Sequence, residues 1–546
     1  MIKKLFNGEI NSITMAALLV GGSSLVSRLL GIFRDRILAG QFGAGDTLDV
    51  YYAAFRLPDL IFNLLVLGAL SAGFIPIFTS LIKSPLLKLR SLLGHEYKEA
   101  WQLANNVLNI LVLGLLLLCG LGVIFAPQII QLITPGFDRE KIDLTVGLSR
   151  IMFLSPIFLG ISGVFGGILQ SFKRFFVYAM SPIFYNIGII IGALYLVPLW
   201  GIYGLAWGVV LGASAHLAVQ LPTLIQLGFK YSFQFDLKNK KVRQIWLMMV
   251  PRTMSLAISQ LNLLVITVIA STLSSGSLSV FNFANNLQSF PVGIFGISFA
   301  IAAFPAMSAA AFDKKNLVKD LSQTVRQILF FIIPSTVLLL ALRAQIIRVV
   351  LGTGSFDWQD TILTINTLGW FSISLFSQAL IPLLIRVFYA RHDSKTPFII
   401  GLASAAANII LSLWLAASLG VAGLALAFSL SSIINLLLLW LWLNFEIGNL
   451  DEYKIFISTV KFSLAALAAG LAVQAVKLLV GVNLDLDRFW EVLLQGSAAG
   501  LAGVLIYLLV CFILKSEELF NFWSSLKRRW PAKKIETPDQ GEARGI

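Results

Sequence analysis

Apolar runs, each closed by a short polar break, follow one another along nearly the whole chain. An α-helix needs about 20 apolar residues to cross the hydrocarbon layer of a membrane. Runs of at least that reach recur within 11–38, 47–82, 101–126, 144–170, 176–198, 201–228, 244–272, 278–312, 320–342, 360–390, 396–419, 421–445, 455–481 and 489–514. The expected fold class is therefore an all-α polytopic membrane protein with about fourteen transmembrane helices. A membrane β-barrel would instead alternate apolar and polar residues in segments of about ten, a pattern not found here. From Lys515 the chain turns polar and basic and ends in "ETPDQGEARGI", a composition that predicts disorder.

The polar breaks alternate in charge. Every second one is basic: Lys83, Lys88, Arg90 and Lys98; Lys173 and Arg174; Lys230, Lys238, Lys240, Lys241 and Arg243; Lys314, Lys315 and Lys319; Arg391 and Lys395. The others, such as "FGAGDTLD" and "SSGSLS", hold almost no Lys or Arg. With the termini, about 26 basic residues fall on one side and about five on the other, so the positive-inside rule puts both termini in the cytoplasm.

Short segments also repeat in order. "LDVYYAAFRL" (48–57) echoes "LSVFNFANNL" (278–287), "GFIPIFTS" (73–80) echoes "AAFPAMSA" (302–309), and "GIYGLA" (201–206) echoes "GVAGLA" (420–425). Two six-helix halves follow, with two helices left over. An even number of spans per half makes the repeats parallel, about an axis along the membrane normal, and places a substrate site between the halves near mid-membrane. The expected division is 1–228 for the first lobe, 229–445 for the second, 446–514 for the extra helices and 515–546 for a basic cytoplasmic tail.

Composition agrees with this pattern. The chain is 58% hydrophobic and 12% charged, with a mean hydropathy of +0.86, whereas soluble proteins carry about 25% charged residues. Lys3 and Lys4 precede the first run, but no small-residue cleavage site follows, so it reads as a retained helix. The net charge of +14 is accounted for by loop bias, and nucleic acid is not an expected partner. Cys119 and Cys511 fall within spans and form neither a disulfide framework nor a metal spacing. Of three histidines, His95 and His392 lie in loops, and His216 is a packing residue in an apolar helix. No nucleophile sits beside a base and no phosphate-binding Gly loop occurs. Neither enzyme, metal nor cofactor is expected.

Ionised residues inside the spans are the informative exception. Each costs a few kcal/mol at the bilayer centre unless it faces a partner or a water-filled cavity. "SRLLGIFRDR" (27–36) brings Arg28, Arg34, Asp35 and Arg36 into the first helix, and the second adds Arg56 and Asp59. Arg28 and Asp35 share a helix face, Arg56 and Asp59 are spaced to pair, and Gly31 is a place for the first helix to bend. Arg252, next to Pro251, and Arg386 lack an acid nearby in sequence. One reading is structural: salt bridges that fix packing, or side chains that snorkel. The other starts from the surplus of arginine over acid, which asks for an anion, and phosphate is the anion Arg grips bidentately. Small residues in "SLAALAAGLA" (463–472) and "GSAAGLAGV" (496–504) leave two readings as well, a shallow lipid groove or a tight helix seam.

The stretches "SRLLGIFRD", "FGAGDTLDVYYAAFRLPDL", "GALSAGFIPIF", "TPGF", "GSLSVFNFANNLQSFPVGIFG" and "RVFYARHDSKTP" run in one order through the first twelve helices. In them the chain resembles the MurJ/MviN family of lipid II flippases, related to the MATE exporters. The resemblance implies a V-shaped, two-lobed transporter in the cytoplasmic membrane. It would carry the polyprenyl-pyrophosphate-linked disaccharide-pentapeptide from the inner to the outer leaflet by alternating access, as a monomer among membrane lipids, with the cell-wall synthesis machinery as a candidate partner. Arg28 and Arg34 match the family's first-helix arginines, Asp49 its acid at the start of helix 2, and Arg252 the arginine after the proline of helix 7. The expected substrate-binding residues are thus Arg28, Arg34, Asp35, Asp49, Arg56 and Arg252. The chain departs from the family at Phe62 and Asn63, where an arginine is usual, at Leu67, where a Glu is usual, and at Asn285 and Asn286, where "ADR" becomes Ala284-Asn285-Asn286. Such coordinated neutralisation leaves open a different polyprenyl-linked glycan as cargo. A non-transporting scaffold for wall synthesis is the alternative from another class.

Overall fold

The computed structural model describes residues 13–67, 73–82, 97–482, 484–485 and 488–529. The basic run at 83–90, His95 and the tail from residue 530 lie outside the described residues.

Among the described residues the regular secondary structure is all helical. Its segments are α1 (Ile13–Phe42), α2 (Asp46–Phe62, carried on by Asn63–Leu67 and Ile75–Ile82), α3 (Lys98–Ile133), α4 (Arg139–Ser171), α5 (Phe175–Trp200), α6 (Tyr203–Gln226) and α7 (Lys240–Ser271). They continue with α8 (Ser277–Ala309), α9 (Lys314–Val350), α10 (Trp358–Ser372 and Leu375–Ala390, bent by 45°), α11 (Lys395–Leu419), α12 (Val421–Ile447), α13 (Glu452–Gly481), α14 (Phe489–Ile513) and α15 (Glu517–Arg529). Among the described residues, ten segments are long and apolar enough to cross a membrane, eleven with the bent α10. With α1, α2 and α7, which complete the expected set, the membrane segments are α1–α14. Large exposed side chains such as Leu117, Ile124, Ile410, Trp414, Leu471 and Leu505 dot these helices, as lipid rather than water demands.

The internal repeat has a backbone counterpart. Wide π turns interrupt α2 at Asn63–Leu67, α5 at Gly192–Leu196 and α8 at Val292–Ile297; the first and the last are offset by about 230 residues, the same as the echoing sequences. A π turn frees backbone carbonyls and marks functional helices disproportionately. By contrast α1 stays α-helical through Gly31. A Cβ on Gly31 would lie 3.9 Å from Oδ1 of Asn186 on α5, an ordinary contact distance, so packing there does not require glycine.

The two extra helices pack on α9 as a seam, and the groove reading does not hold. Ala465, Ala466 and Ala469 are fully buried, and a Cβ on Gly503 would meet Leu338 and Val473 at 2.7 Å. Tyr507 of α14 donates to the carbonyl of Phe330 on α9 at 2.6 Å. Cys119 and Cys511 are buried and free. His216 is satisfied within the first lobe: its Nδ1 lies 2.6 Å from Oγ of Ser162, which also accepts from Gln220.

Candidate substrate site between the lobes

The in-membrane charges of α1 and α2 converge on α5, α7 and α8. Asp35 is the hub. Its Oδ1 accepts from Nε and Nη2 of Arg34 at 3.0 and 2.8 Å, and its Oδ2 accepts from Nδ2 of Asn286 on α8 at 2.8 Å. Arg34 reaches on to Asn186 of α5 through Nη1 at 3.3 Å. Asn186 in turn donates back to Ser27, holding the two helices in register. The Asp35 side chain is only 6% exposed, and Arg34 at 21% keeps one edge open.

Arg28 lies two turns earlier on the same helix. Its guanidinium rests on Gly293, at the π turn of α8, so closely that a Cβ at 293 would be 2.4 Å from Nη2. No acid pairs with it among the described residues. Arg56 does not pair with Asp59. It reaches across instead, Nε to Oγ1 of Thr267 on α7 and Nη2 to Oδ1 of Asn282 on α8, both at 2.9 Å. Beside these groups the Tyr52 hydroxyl is buried with no hydrogen-bond partner among the described residues. Three guanidinium groups are therefore strung along α8 at the lobe boundary, from Asn282 (Arg56) past Asn286 (Asp35 with Arg34) to Gly293 (Arg28), with two carboxylates, the paired Asp35 and the neighbouring Asp59, beside them; the excess of positive charge suits an oxyanion.

Asp49 is placed differently. It is 3% exposed, and both oxygens are committed to the start of α8: Oδ2 accepts from the amide of Gly276 at 2.8 Å, and Oδ1 accepts from the amide and hydroxyl of Ser279 at 2.8 and 2.6 Å. A carboxylate there answers orphan amides and the positive end of the helix dipole. Gly276 is required at this joint, because its φ is +85° and a Cβ would fall 1.8 Å from the carbonyl of Ala44.

Further contacts seal the same end. The amide of Ala44 donates to Asp360 at 2.8 Å, and that of Ser355 donates to the carbonyl of Gly40 at 2.8 Å. Arg36 donates to the carbonyl of Val349 and lies 4.8 Å from the centre of the Phe489 ring, a structural role. This is the end with few basic residues. Arg386 bonds the carbonyl of Pro382 on its own helix at 2.9 Å. Arg252 lies on α7, and its side chain is outside the described residues.

Asn186, Thr267 and Asn282 were not singled out from the sequence. A lone Asn within an apolar run was a usable signal for the first, since a polar group in a membrane helix needs a partner. The long-range partners of Asp49, more than 220 residues away, left no local trace.

A family profile described as lipid II flippase MurJ matches residues 38–487. Among relatives, the "Probable lipid II flippase MurJ" of Rhizobium tropici is 29% identical, over 94% of this chain and 96% of its own length. The protein of the same name from Thermotoga maritima is 31% identical, over 90% of this chain and 95% of its own. A solved structure of lipid II flippase MurJ in an inward closed conformation superposes with a TM-score of 0.74 at 27% identity, covering 94% of this chain and all of that one. An inward-facing MATE-family multidrug resistance transporter gives a TM-score of 0.65 at 14% identity, covering 80% of this chain and 99% of that one, a likeness of fold alone.

Proposed function

The chain belongs to the lipid II flippase MurJ family, and from that premise we propose that it moves lipid II from the inner to the outer leaflet of the cytoplasmic membrane. The observation that carries the reading is the row of guanidinium groups Arg56, Arg34 and Arg28 along α8 at the lobe boundary, three cations beside the two carboxylates Asp35 and Asp59. A pyrophosphate offers the bidentate oxygens that such groups bind. Arg28 is the group with most to give, having no acidic partner among the described residues. Arg34, oriented by Asp35 and Asn186, keeps an open edge, and the orphan Tyr52 hydroxyl adds a donor. Arg252 of α7 joins this set by its place in the family pattern.

Binding of the headgroup from the cytoplasmic side leaves the polyprenyl chain in the bilayer, since each buried CH₂ is worth about 0.8 kcal/mol in an apolar setting. The seal formed by Asp49, Asp360, Gly40 and Ala44 keeps the outer end shut in this conformation. Export requires that seal to part while the basic end closes. The paired π turns of α2 and α8 are the places where each lobe can flex. Membrane potential supplies about 2.3 kcal/mol per charge per 100 mV, enough to bias the cycle. Both termini lie in the cytoplasm, and the chain works as a monomer.

A second reading rests on Asn286. Where the family carries an arginine, this chain uses an amide to hold Asp35, so the site has fewer cations and suits a related polyprenyl-linked glycan. Complementation of a strain depleted of its lipid II flippase tests the first reading. The wild-type chain restores growth, Arg28→Ala does not, and Arg28→Lys restores it partly because a point charge lacks the guanidinium fork. Failure of the wild type, expressed and inserted, points to another cargo, and full growth with Arg28→Ala removes the site.

A further inference from the structure

At the basic-loop end of the second lobe, α9, α13 and α15 line an open cleft of about 610 Å³, apart from the residues of the inter-lobe site. Its charged lining is Lys315, Lys319, Arg326, Lys454, Asp451 and Glu517. The acids are already engaged. Asp451 accepts from the Ser322 hydroxyl at 2.6 Å, and Glu517 is held by Lys454 and Arg326, each at 3.2 Å. Arg326 is 8% exposed and also pairs with the buried Glu518. Its Nε remains buried without a hydrogen-bond partner among the described residues. A buried guanidinium N–H left unanswered is costly, the more so because the group is charged. Lys315 and Lys319, one turn apart on α9, stand exposed at the mouth.

The surroundings point to lipid. α15 follows directly on the membrane helix α14 and has an aromatic face, with Phe522 set edge-on against Phe331 and Phe520 near Phe512. Phe520, Phe522 and Trp523 are nevertheless 47%, 44% and 56% exposed. Acidic residues at its start, aromatics in its body and "KRR" at its end make it an amphipathic helix of the kind that lies in the headgroup layer. Basic pockets between membrane helices on the cytoplasmic side are sites where phosphate-bearing headgroups bind. We propose that this cleft holds the phosphate of an anionic lipid headgroup, or a free phosphate, between Lys315, Lys319, Arg326 and Lys454, and that occupancy fastens α15 to the second lobe. The proposal is independent of what the central site transports.

The test uses the full-length protein in detergent micelles, titrated with phosphatidylglycerol, with phosphatidylcholine and with sodium phosphate. The readouts are the thermal unfolding midpoint and the lipid retained by native mass spectrometry. Phosphatidylglycerol is expected to raise the midpoint saturably with one lipid retained, and phosphatidylcholine to have no effect. The double variant Lys315→Gln/Lys319→Gln, both at exposed positions, is expected to weaken that response at least tenfold. Arg326→Gln is expected to abolish it. If sodium phosphate gives the same variant-sensitive shift at millimolar concentration, the occupant is the free anion and the site stands. A response to phosphatidylglycerol that survives in the double variant unchanged, or one matched by phosphatidylcholine, overturns the proposal even if Arg326→Gln fails to fold.

Discussion

Replacing Asp49 with alanine removes a carboxylate that joins α2 to the start of α8 at the end of the molecule with few basic residues. Three hydrogen bonds are lost, from the Gly276 amide and from the Ser279 amide and hydroxyl. In the sealed conformation the two amides are left buried without acceptors, at about 1–3 kcal/mol each. Loss of the favourable charge at the α8 N-terminus adds about 1 kcal/mol. When the lobes part at this end the amides reach water, so the penalty falls on the closed state alone. A net shift of about 3 kcal/mol changes the closed-to-open ratio by roughly 150-fold. Asp49→Asn keeps the shape and one acceptor but turns an NH₂ toward an amide, so about half that shift is expected. Spin labels at exposed Glu140 on α4 and Gln359 on α10 report the separation of the lobes by double electron–electron resonance. The wild type should give one short distance and Asp49→Ala a second, longer one, with Asp49→Asn between them. An unchanged distance distribution in a folded Asp49→Ala protein refutes the reasoning.

Arg34→Ala should cost about 3–5 kcal/mol of stability, because it strands the buried Asp35 charge; the added change Asp35→Asn should recover most of the unfolding midpoint without restoring transport. Gly293→Ala should leave the unfolding midpoint within a degree or two but depress transport as Arg28→Ala does, since the displaced group is the far end of a flexible side chain; wild-type transport in that variant would detach Arg28 from the site. Cysteines at 239–241 should react with an impermeant reagent only from the cytoplasmic side and those at 274–277 only from outside; the reversed pattern would invert the direction of transport.

Much of the fold was legible because membrane crossing imposes a strong local rule. Apolar run length locates α3, α9 and α11 directly. The echo of 48–57 in 278–287 anticipated related halves, and the matched π turns of α2 and α8 lie at the same offset. The charged residues of α1 stood out because ions are costly in hydrocarbon, whatever their partners. What could not be read was who meets whom across the lobes. Arg56 and Asp59 have good helical spacing to pair, yet Thr267 and Asn282 offer neutral acceptors facing Arg56, and those acceptors lie more than 200 residues away. Asp49 looked like a site residue by position in its family, while its environment is a helix cap. Small residues in α13 and α14 were ambiguous for the same reason: a groove and a seam share one composition, and only the presence of Leu338 and Val473 against Gly503 distinguishes them.

Reconstitution with head-labelled lipid II tests the central claim most directly. Purified protein is placed in liposomes carrying the label on both leaflets, and an impermeant quencher is added outside. In protein-free vesicles, or with Arg28→Ala, about half the signal should stay protected. With the wild-type chain the inner pool should become accessible within the measurement. Protection that the wild-type chain leaves unchanged, or equal loss of protection with Arg28→Ala, contradicts a lipid II flippase built on that arginine.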